Sequence, residues 1–234
     1  MYSSKIDPKF NKKQNPKIGL IALASDYIIE KDFINVIQGK EIDFFVNRIE
    51  CFNPLTSENL TKMSEKVTEV TKDILPGEKI DCVVYGCTSG TIAAGYESIK
   101  NKIKKAKPEA EVTTPSTASI KALKKLNIKK VAILTPYPKK LNDEVVEFFR
   151  KEGFQITSNS YFDIESDIDI GKVNPEYLYD VLSKMDLNEA DALFVSCTAL
   201  PVLSIIDRLE KKLGIVVLSS NQALIWDTLE KIGK

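Results

Sequence analysis

The chain has 234 residues, with 33 basic and 33 acidic side chains, no net charge and 43% apolar residues. That balance belongs to a folded globular protein rather than a disordered one, and a neutral chain offers no uniform positive field to draw nucleic acid. Histidine is absent, which removes Ser-His-Asp triads, Cys-His dyads and imidazole metal ligands, so acid–base chemistry near neutral pH has to come from Cys, Asp, Glu, Lys or Tyr.

Residues 1–16 read as a flexible, Lys- and Asn-rich arm without an apolar leader, and no later apolar run reaches membrane length. From there short β-branched runs alternate with longer amphipathic stretches. Strands are expected over 18–23, 42–49, 80–85, 111–113, 130–134, 154–161, 192–195 and 215–218. Helical periodicity covers 57–74, 89–103, 116–126, 139–151, 175–185, 199–213 and 221–232. In the first of these Leu60, Met63, Val67, Val70 and Ile74 recur at three- and four-residue steps, giving one buried stripe beneath a charged face. This alternation is the habit of an α/β protein with mainly parallel sheets. The four cysteines, Cys51, Cys82, Cys87 and Cys197, have neither CxxC spacing nor the density of a disulfide scaffold, so a reducing cytoplasm is the expected compartment.

The two halves of the chain resemble each other. Lys17-Ile-Gly-Leu-Ile-Ala-Leu matches Lys130-Val-Ala-Ile-Leu-Thr-Pro, and Asp81-Cys-Val-Val-Tyr-Gly-Cys-Thr matches Asp191-Ala-Leu-Phe-Val-Ser-Cys-Thr. Val112-Thr-Thr-Pro-Ser-Thr-Ala-Ser-Ile likewise matches Val217-Leu-Ser-Ser-Asn-Gln-Ala-Leu-Ile. The expected architecture is two similar Rossmann-like, three-layer αβα halves related by a pseudo-twofold axis, with 17–115 and 216–234 in the first half and 116–215 in the second.

In both halves a buried strand ends at a small residue followed by Cys-Thr and a helix: Gly86-Cys87-Thr88-Ser89-Gly90 and Ser196-Cys197-Thr198-Ala199. Ligands in open α/β sheets bind beyond the carboxyl ends of the strands, and helix N-termini favour thiolates and carboxylates. Cys87 and Cys197 are therefore the candidate catalytic pair, with lowered thiol pKa values expected, one removing a proton from a bound carbon and the other supplying one. Cys51 and Cys82 read as packing residues. No GxGxxG or Walker pattern occurs, so no nucleotide is implied.

These motifs, with Thr135-Pro136-Tyr137 and Ser219-Ser220-Asn221-Gln-Ala-Leu-Ile-Trp226, resemble the aspartate/glutamate/hydantoin racemase superfamily. The nearest branch is that of maleate cis-trans isomerase, arylmalonate decarboxylase and ectoine-utilisation proteins. Tyr85-Gly-Cys-Thr-Ser-Gly-Thr91 and Asn53-Pro-Leu-Thr-Ser-Glu-Asn-Leu60 are closest to the last type. The resemblance implies an enzyme without metal or other cofactor, a small carboxylic acid as substrate, and commonly a homodimer. It also implies Cys87 and Cys197 as the catalytic pair, with Ser25, Thr88, Ser89, Tyr137, Thr198, Ser219 and Ser220 in carboxylate-binding loops. Tyr137 reads equally as a hydrogen-bond donor or as an aromatic lid on a strand end.

Three departures matter. Decarboxylases of this type carry only the second cysteine, glutamate racemases carry a histidine where Ala199 stands, and maleate isomerases place an asparagine where this chain has Ser25-Asp26. Asp26 would repel a dicarboxylate unless it meets an ammonium group, and the acidic loop Asp163, Glu165, Asp167, Asp169 either does the same or is a solvated surface. The expected activity is racemisation or cis-trans isomerisation of a small carboxylate. The alternatives are an arylmalonate-type decarboxylase and a non-catalytic carboxylate-binding α/β protein.

Overall fold

Strand β1 (Lys17–Leu23) is buried from end to end in the computed structural model, which describes residues 3–11 and 13–234. Successive side chains leave a strand on opposite faces, so Ile18, Leu20 and Ala22 join one apolar cluster while Ile21 and Leu23 join another. Strand β3 (Cys82–Gly86) divides in the same way, Cys82 and Val84 to the first cluster, Val83 and Tyr85 to the second. Burial on both faces is the mark of a parallel sheet clad by helices on each side.

With β2 (Asp43–Ile49) and β4 (Glu111–Thr113) these strands form a parallel sheet of order β2-β1-β3-β4. The second sheet, from β5 (Lys130–Thr135), β6 (Gln155–Tyr161), β7 (Ala192–Val195) and β8 (Val216–Ser219), is also parallel and has the matching order β6-β5-β7-β8. The repeated Lys and Asp positions do the same work in both. Asp81 accepts the Lys17 N–H at 2.8 Å and Asp191 accepts the Lys130 N–H at 2.8 Å, while their own N–H groups return to the Lys17 and Lys130 carbonyls. Each aspartate thereby clamps the start of a central strand to its neighbour.

The helices are α1 (Ile29–Ile37), α2 (Ser57–Ser64), α3 (Val67–Lys72), α4 (Thr88–Ala94), α5 (Tyr96–Ala106), α6 (Pro115–Lys125), α7 (Lys139–Lys151), α8 (Asp167–Ile170), α9 (Pro175–Ser183), α10 (Ile206–Leu213) and α11 (Ser220–Lys231). Two expected helices are split. The 57–74 stretch becomes α2 and α3, and the 89–103 stretch breaks at Gly95, whose φ of +81° suits glycine. Helix α1 is absent from the periodicity reading because it is short; its signal is Ile29, Phe33 and Ile37 at four-residue steps behind Asp26, which accepts the Ile28 and Ile29 N–H groups.

The division of the chain needs one correction. Residues 216–219, assigned to the first half, form β8 and pair with β7 of the second sheet, because β7 leaves that edge open to a parallel partner. Helix α11 then returns to the first half, where Leu224 and Ile225 pack with β1, β3 and α1, so the crossover falls at Ser219–Ser220. Of the arm expected over 1–16, residues 1, 2 and 12 lie outside the described residues; the others have no regular secondary structure, and Lys13 and Asn15 bond to Glu41 and Asp43. No described helix is long and apolar enough to cross a membrane.

Candidate active site

Cys87 directly follows β3 and Cys197 follows β7 by one residue, so both sulfurs stand at the carboxyl ends of central strands. Cys87 is extended and caps α4, its Sγ accepting the Gly90 N–H at 3.2 Å. A side chain at Gly90 has no room: a Cβ there would stand 2.7 Å from Cys87 Sγ and 3.0 Å from the Tyr85 hydroxyl. Cys197 is different. Its φ is +98°, a backbone conformation that L-residues rarely adopt and that surrounding contacts must enforce.

The expected helix behind Cys197 starts late. Residues 198–202 are irregular, a 3-10 turn spans Leu203–Ile205, and α10 follows. Pro201 lacks an N–H and disfavours a helical conformation at Leu200, which blocks an earlier start. No helix therefore begins at Cys197 itself.

The two Cys-Thr steps are stitched to each other. Thr88 Oγ1 donates to Ser220 Oγ at 3.0 Å, and the Cys197 N–H donates to the same oxygen at 3.0 Å. In the reverse direction Thr198 Oγ1 donates to the Gly86 carbonyl at 3.2 Å. One serine at the start of α11 thus ties the loop of the first cysteine to the backbone of the second. Ser219 caps α11 by accepting the Gln222 N–H at 3.1 Å, and Ser89 is buried with its Oγ 4.0 Å from Cys87 Sγ. Tyr137, buried after β5, sits beside Ser196 and Cys197, and burial drives its pKa well above the usual phenol value.

The expectation of lowered thiol pKa values is overturned. Burial pushes Cys87 and Cys197 far above the ordinary range, and the nearby charge of Asp167 pushes further. The Gly90 N–H and Ser89 hydroxyl oppose this at Cys87, as do the Ala199 N–H and Tyr137 hydroxyl at Cys197, but they offset only part of the desolvation. Both side chains, 3% and 4% exposed, are neutral thiols near pH 7.

The acidic loop divides. Asp163, Glu165 and Asp169 are exposed, whereas Asp167 is buried and its Oδ2 accepts the Ser25 hydroxyl at 2.6 Å. The Asp167 N–H reaches Asn53 Oδ1 at 3.3 Å and the Leu55 N–H reaches the Glu165 carbonyl at 2.9 Å, so this segment of the second half lies across the first. Asp26 is wholly buried, and burial raises its pKa against the two N–H groups it accepts. Burial also raises Asp167 and Asp32 to about 6 each.

Several residues at the site were not singled out from the sequence. Asn221 Nδ2 donates to Asp32 at 2.7 Å and to the Thr198 carbonyl at 2.8 Å; its position inside the Ser-Ser-Asn motif was its only signal. Cys51, read as packing, is half-buried near Ser25, Asp167 and Cys87, with burial lifting its pKa to about 11. Cys82 is packed between β1, α1 and α11 and lifted to about 12. Among the described residues no cluster of Cys, Asp and Glu has the arrangement of a metal site.

Two equivalent parallel α/β units, each presenting a Cys-Thr step at a strand end and tied together through Ser220, define a two-lobed α/β protein. The arylmalonate decarboxylase family model matches residues 42–234, and the chain belongs to that family. A maleate isomerase of Geobacillus stearothermophilus is 25% identical over 231 residues, which cover 92% of this chain and 91% of that protein. The crystal structure of maleate isomerase Iso from Pseudomonas putida S16 superposes with a TM-score of 0.85 at 22% identity, covering 93% and 92% of the two chains. A Cys-to-Ser variant of Nocardia farcinica maleate cis-trans isomerase, solved with a covalently bound succinylcysteine intermediate, gives the same TM-score and identity.

Proposed function

We propose that this protein is an isomerase of small carboxylic acids that works through Cys87 and Cys197 without metal or organic cofactor. The observation that carries the reading is the Thr88–Ser220–Cys197 bridge, which fixes the two Cys-Thr steps relative to each other at the ends of equivalent strands. Reacting groups held in one geometry replace an encounter by a unimolecular step. The Ser196 hydroxyl, buried and without a protein partner, and the Tyr137 hydroxyl are donors for a substrate carboxylate.

Two reactions use this arrangement. In cis-trans isomerisation the Cys87 thiolate forms a C–S bond to one alkene carbon and the π pair moves toward the adjacent carboxylate. Rotation about the resulting single bond follows; the pair then returns, the C–S bond breaks and the thiolate leaves. Cys197 lends a proton to the carbanionic carbon and takes it back. The succinylcysteine adduct of the Nocardia enzyme favours this course. In stereoinversion one cysteine takes the α-proton as its electron pair moves into the carboxyl group, and the other returns a proton to the opposite face. In both, a thiol has to lose its proton once substrate is bound, against the burial that holds it neutral.

A cytoplasmic setting goes with free thiols, and the ectoine-type motifs point to amino-acid derivatives among the candidate substrates. The test is incubation in deuterium oxide with maleate and with single enantiomers of saturated acids, reading fumarate by absorbance and α-deuteration by NMR. Cys87→Ser and Cys197→Ser should each lower turnover by roughly two to four powers of ten. Full turnover in both variants would reject the two cysteines as the reacting groups, and no turnover and no exchange with any acid in the wild type would reject the isomerase in favour of a binding protein.

A further inference from the structure

The two Cys-Thr steps occupy equivalent strand ends but not equivalent backbones. Cys87 is extended, with φ of −144°, whereas Cys197 has φ of +98°. Next to each cysteine's strand lies a second strand that runs into a helix, β4 into α6 in the first half and β8 into α11 in the second. Thr114 and Ser219 cap these helices in the same way, each accepting the N–H three residues on. Pro115 therefore corresponds to Ser220, and Ser116 to Asn221.

These corresponding residues behave differently. The Pro115 side chain has no donor or acceptor and the buried Ser116 hydroxyl has no protein partner, so neither side chain holds the Cys87 loop. In α11, Ser220 Oγ accepts the Cys197 N–H at 3.0 Å and Asn221 Nδ2 donates to the Thr198 carbonyl at 2.8 Å. Consecutive residues of one helix thus hold the backbone just before and just beyond the left-handed residue. Asp32 of α1 aims the amide, its Oδ2 accepting the second Nδ2 hydrogen at 2.7 Å. Because the nitrogen faces both acceptors, Asn221 Oδ1 is left buried without a protein donor. An unpaired buried acceptor is costly, so the two bonds from the nitrogen decide how this side chain lies. Residues other than glycine stay at positive φ only where their surroundings over-determine it. In this conformation the Cys197 sulfur stands by the Ala199 N–H and the Tyr137 hydroxyl, which favour its charged form.

We propose that Asn221, aimed by Asp32, is a positioning residue for Cys197: with Ser220 it keeps residue 197 in the left-handed conformation and so fixes where the second sulfur points. Cys87 needs no such clamp, because an extended backbone carries no penalty. The effect on turnover rests on the reading that Cys197 takes part in the reaction; the effect on the backbone does not.

Two measurements test the clamp, one of them without substrate. Asn221→Ala is placed in Cys197→Gly and in Cys197→Ala backgrounds, and Tm is read by calorimetry. Glycine adopts positive φ freely and alanine does not. Loss of the Asn221 bonds should lower Tm in both, and by roughly 2–4 °C more in the glycine background, where no strain is relieved in return. The second measurement takes kcat and KM on whichever acid the wild type turns over, by fumarate absorbance or α-deuteration. Asn221→Ala and Asp32→Leu should each lower kcat about tenfold to a hundredfold, with KM changed by less than about threefold. Asp32→Asn keeps an acceptor oxygen and should restore kcat to within about threefold of wild type, while Ser116→Ala, the corresponding change in the first half, should leave kcat as it is. Circular dichroism confirms that the variants fold. Equal Tm losses in the two backgrounds, wild-type kcat in Asn221→Ala, or a loss in Asp32→Asn as large as in Asp32→Leu would overturn the proposal. An excess Tm loss in the glycine background of a protein that turns over no acid keeps the clamp and removes the isomerase; turnover with equal Tm losses does the reverse.

Discussion

Gly90→Ala adds one methyl group to α4 and isolates the placement of the Cys87 sulfur. Two terms oppose each other in stability. Alanine favours the helix by up to about 1 kcal/mol over glycine. The methyl, however, would stand 2.7 Å from Cys87 Sγ, 3.2 Å from Cys87 Cβ and 3.0 Å from the Tyr85 hydroxyl, whereas relaxed non-bonded contacts lie at about 3.5 Å or more. Tyr85 is fully buried in the core and has little freedom to yield, so the sulfur is displaced by roughly 0.8 Å to restore such a contact. Overpacking of this kind costs about 1–3 kcal/mol. The net stability change is therefore between nothing and a loss of about 3 kcal/mol, a fall in Tm of at most about 12 °C for a chain of this size. The effect on rate is larger, because a misplacement near 1 Å at a reacting group can cost about a hundredfold. Differential scanning calorimetry and kcat/KM by α-deuteration or fumarate absorbance separate the two. Wild-type kcat/KM in a folded Gly90→Ala protein would refute the argument that this glycine exists to seat the sulfur.

Three further outcomes follow from the same geometry. Removing the Ser220 hydroxyl by Ser220→Ala strands the buried Cys197 N–H, a loss of about 1–3 kcal/mol; calorimetry should show it together with a fall in kcat, and an unchanged Tm would show that the bridge bears no strain. Because both site thiols are buried and held neutral, iodoacetamide or a disulfide reagent at pH 7 should label Cys87 and Cys197 slowly without ligand and quickly after unfolding; fast stoichiometric labelling of either in the native protein would contradict the burial argument. Asp167 has a folded pKa near 6 against 3.8 when unfolded, so the folded state binds more protons between those values and stability declines as pH rises through that window. The penalty is absent below about pH 4 and complete above about pH 6, on the order of 3 kcal/mol. Asp167→Asn should thus gain Tm relative to wild type at pH 8 but not at pH 4, and a difference independent of pH would show that burial does not govern this carboxyl.

Much of the scaffold was legible because the relevant signals are local. A strand buried on both faces is an unbroken apolar run, and an amphipathic helix repeats every three to four residues, so seven of the eight strands lie within one residue of their expected ends and the remaining one, β3, starts two residues late and ends one beyond. The doubled Lys, Asp and Cys-Thr positions showed the repeat, and the clamps of Asp81 and Asp191 are its physical content. Helix α1 escaped because nine residues give too few turns for periodicity to stand out, and β8 was placed with the wrong sheet because a strand's sequence does not say which edge it will join.

The amino-acid order by itself determined two α/β units, cysteines at the ends of their central strands, and the exclusion of histidine chemistry. Only the tertiary structure decided what those cysteines experience. Their raised pKa values come from atoms supplied by distant segments, and desolvation is a sum over everything packed around a group, which no local motif encodes. The same holds for the hydroxyls and acids. Ser25 meets Asp167 across 142 residues and Thr88 meets Ser220 across 132, and it is these contacts that tell a buried carboxyl at the site from its exposed neighbours in the same acidic loop.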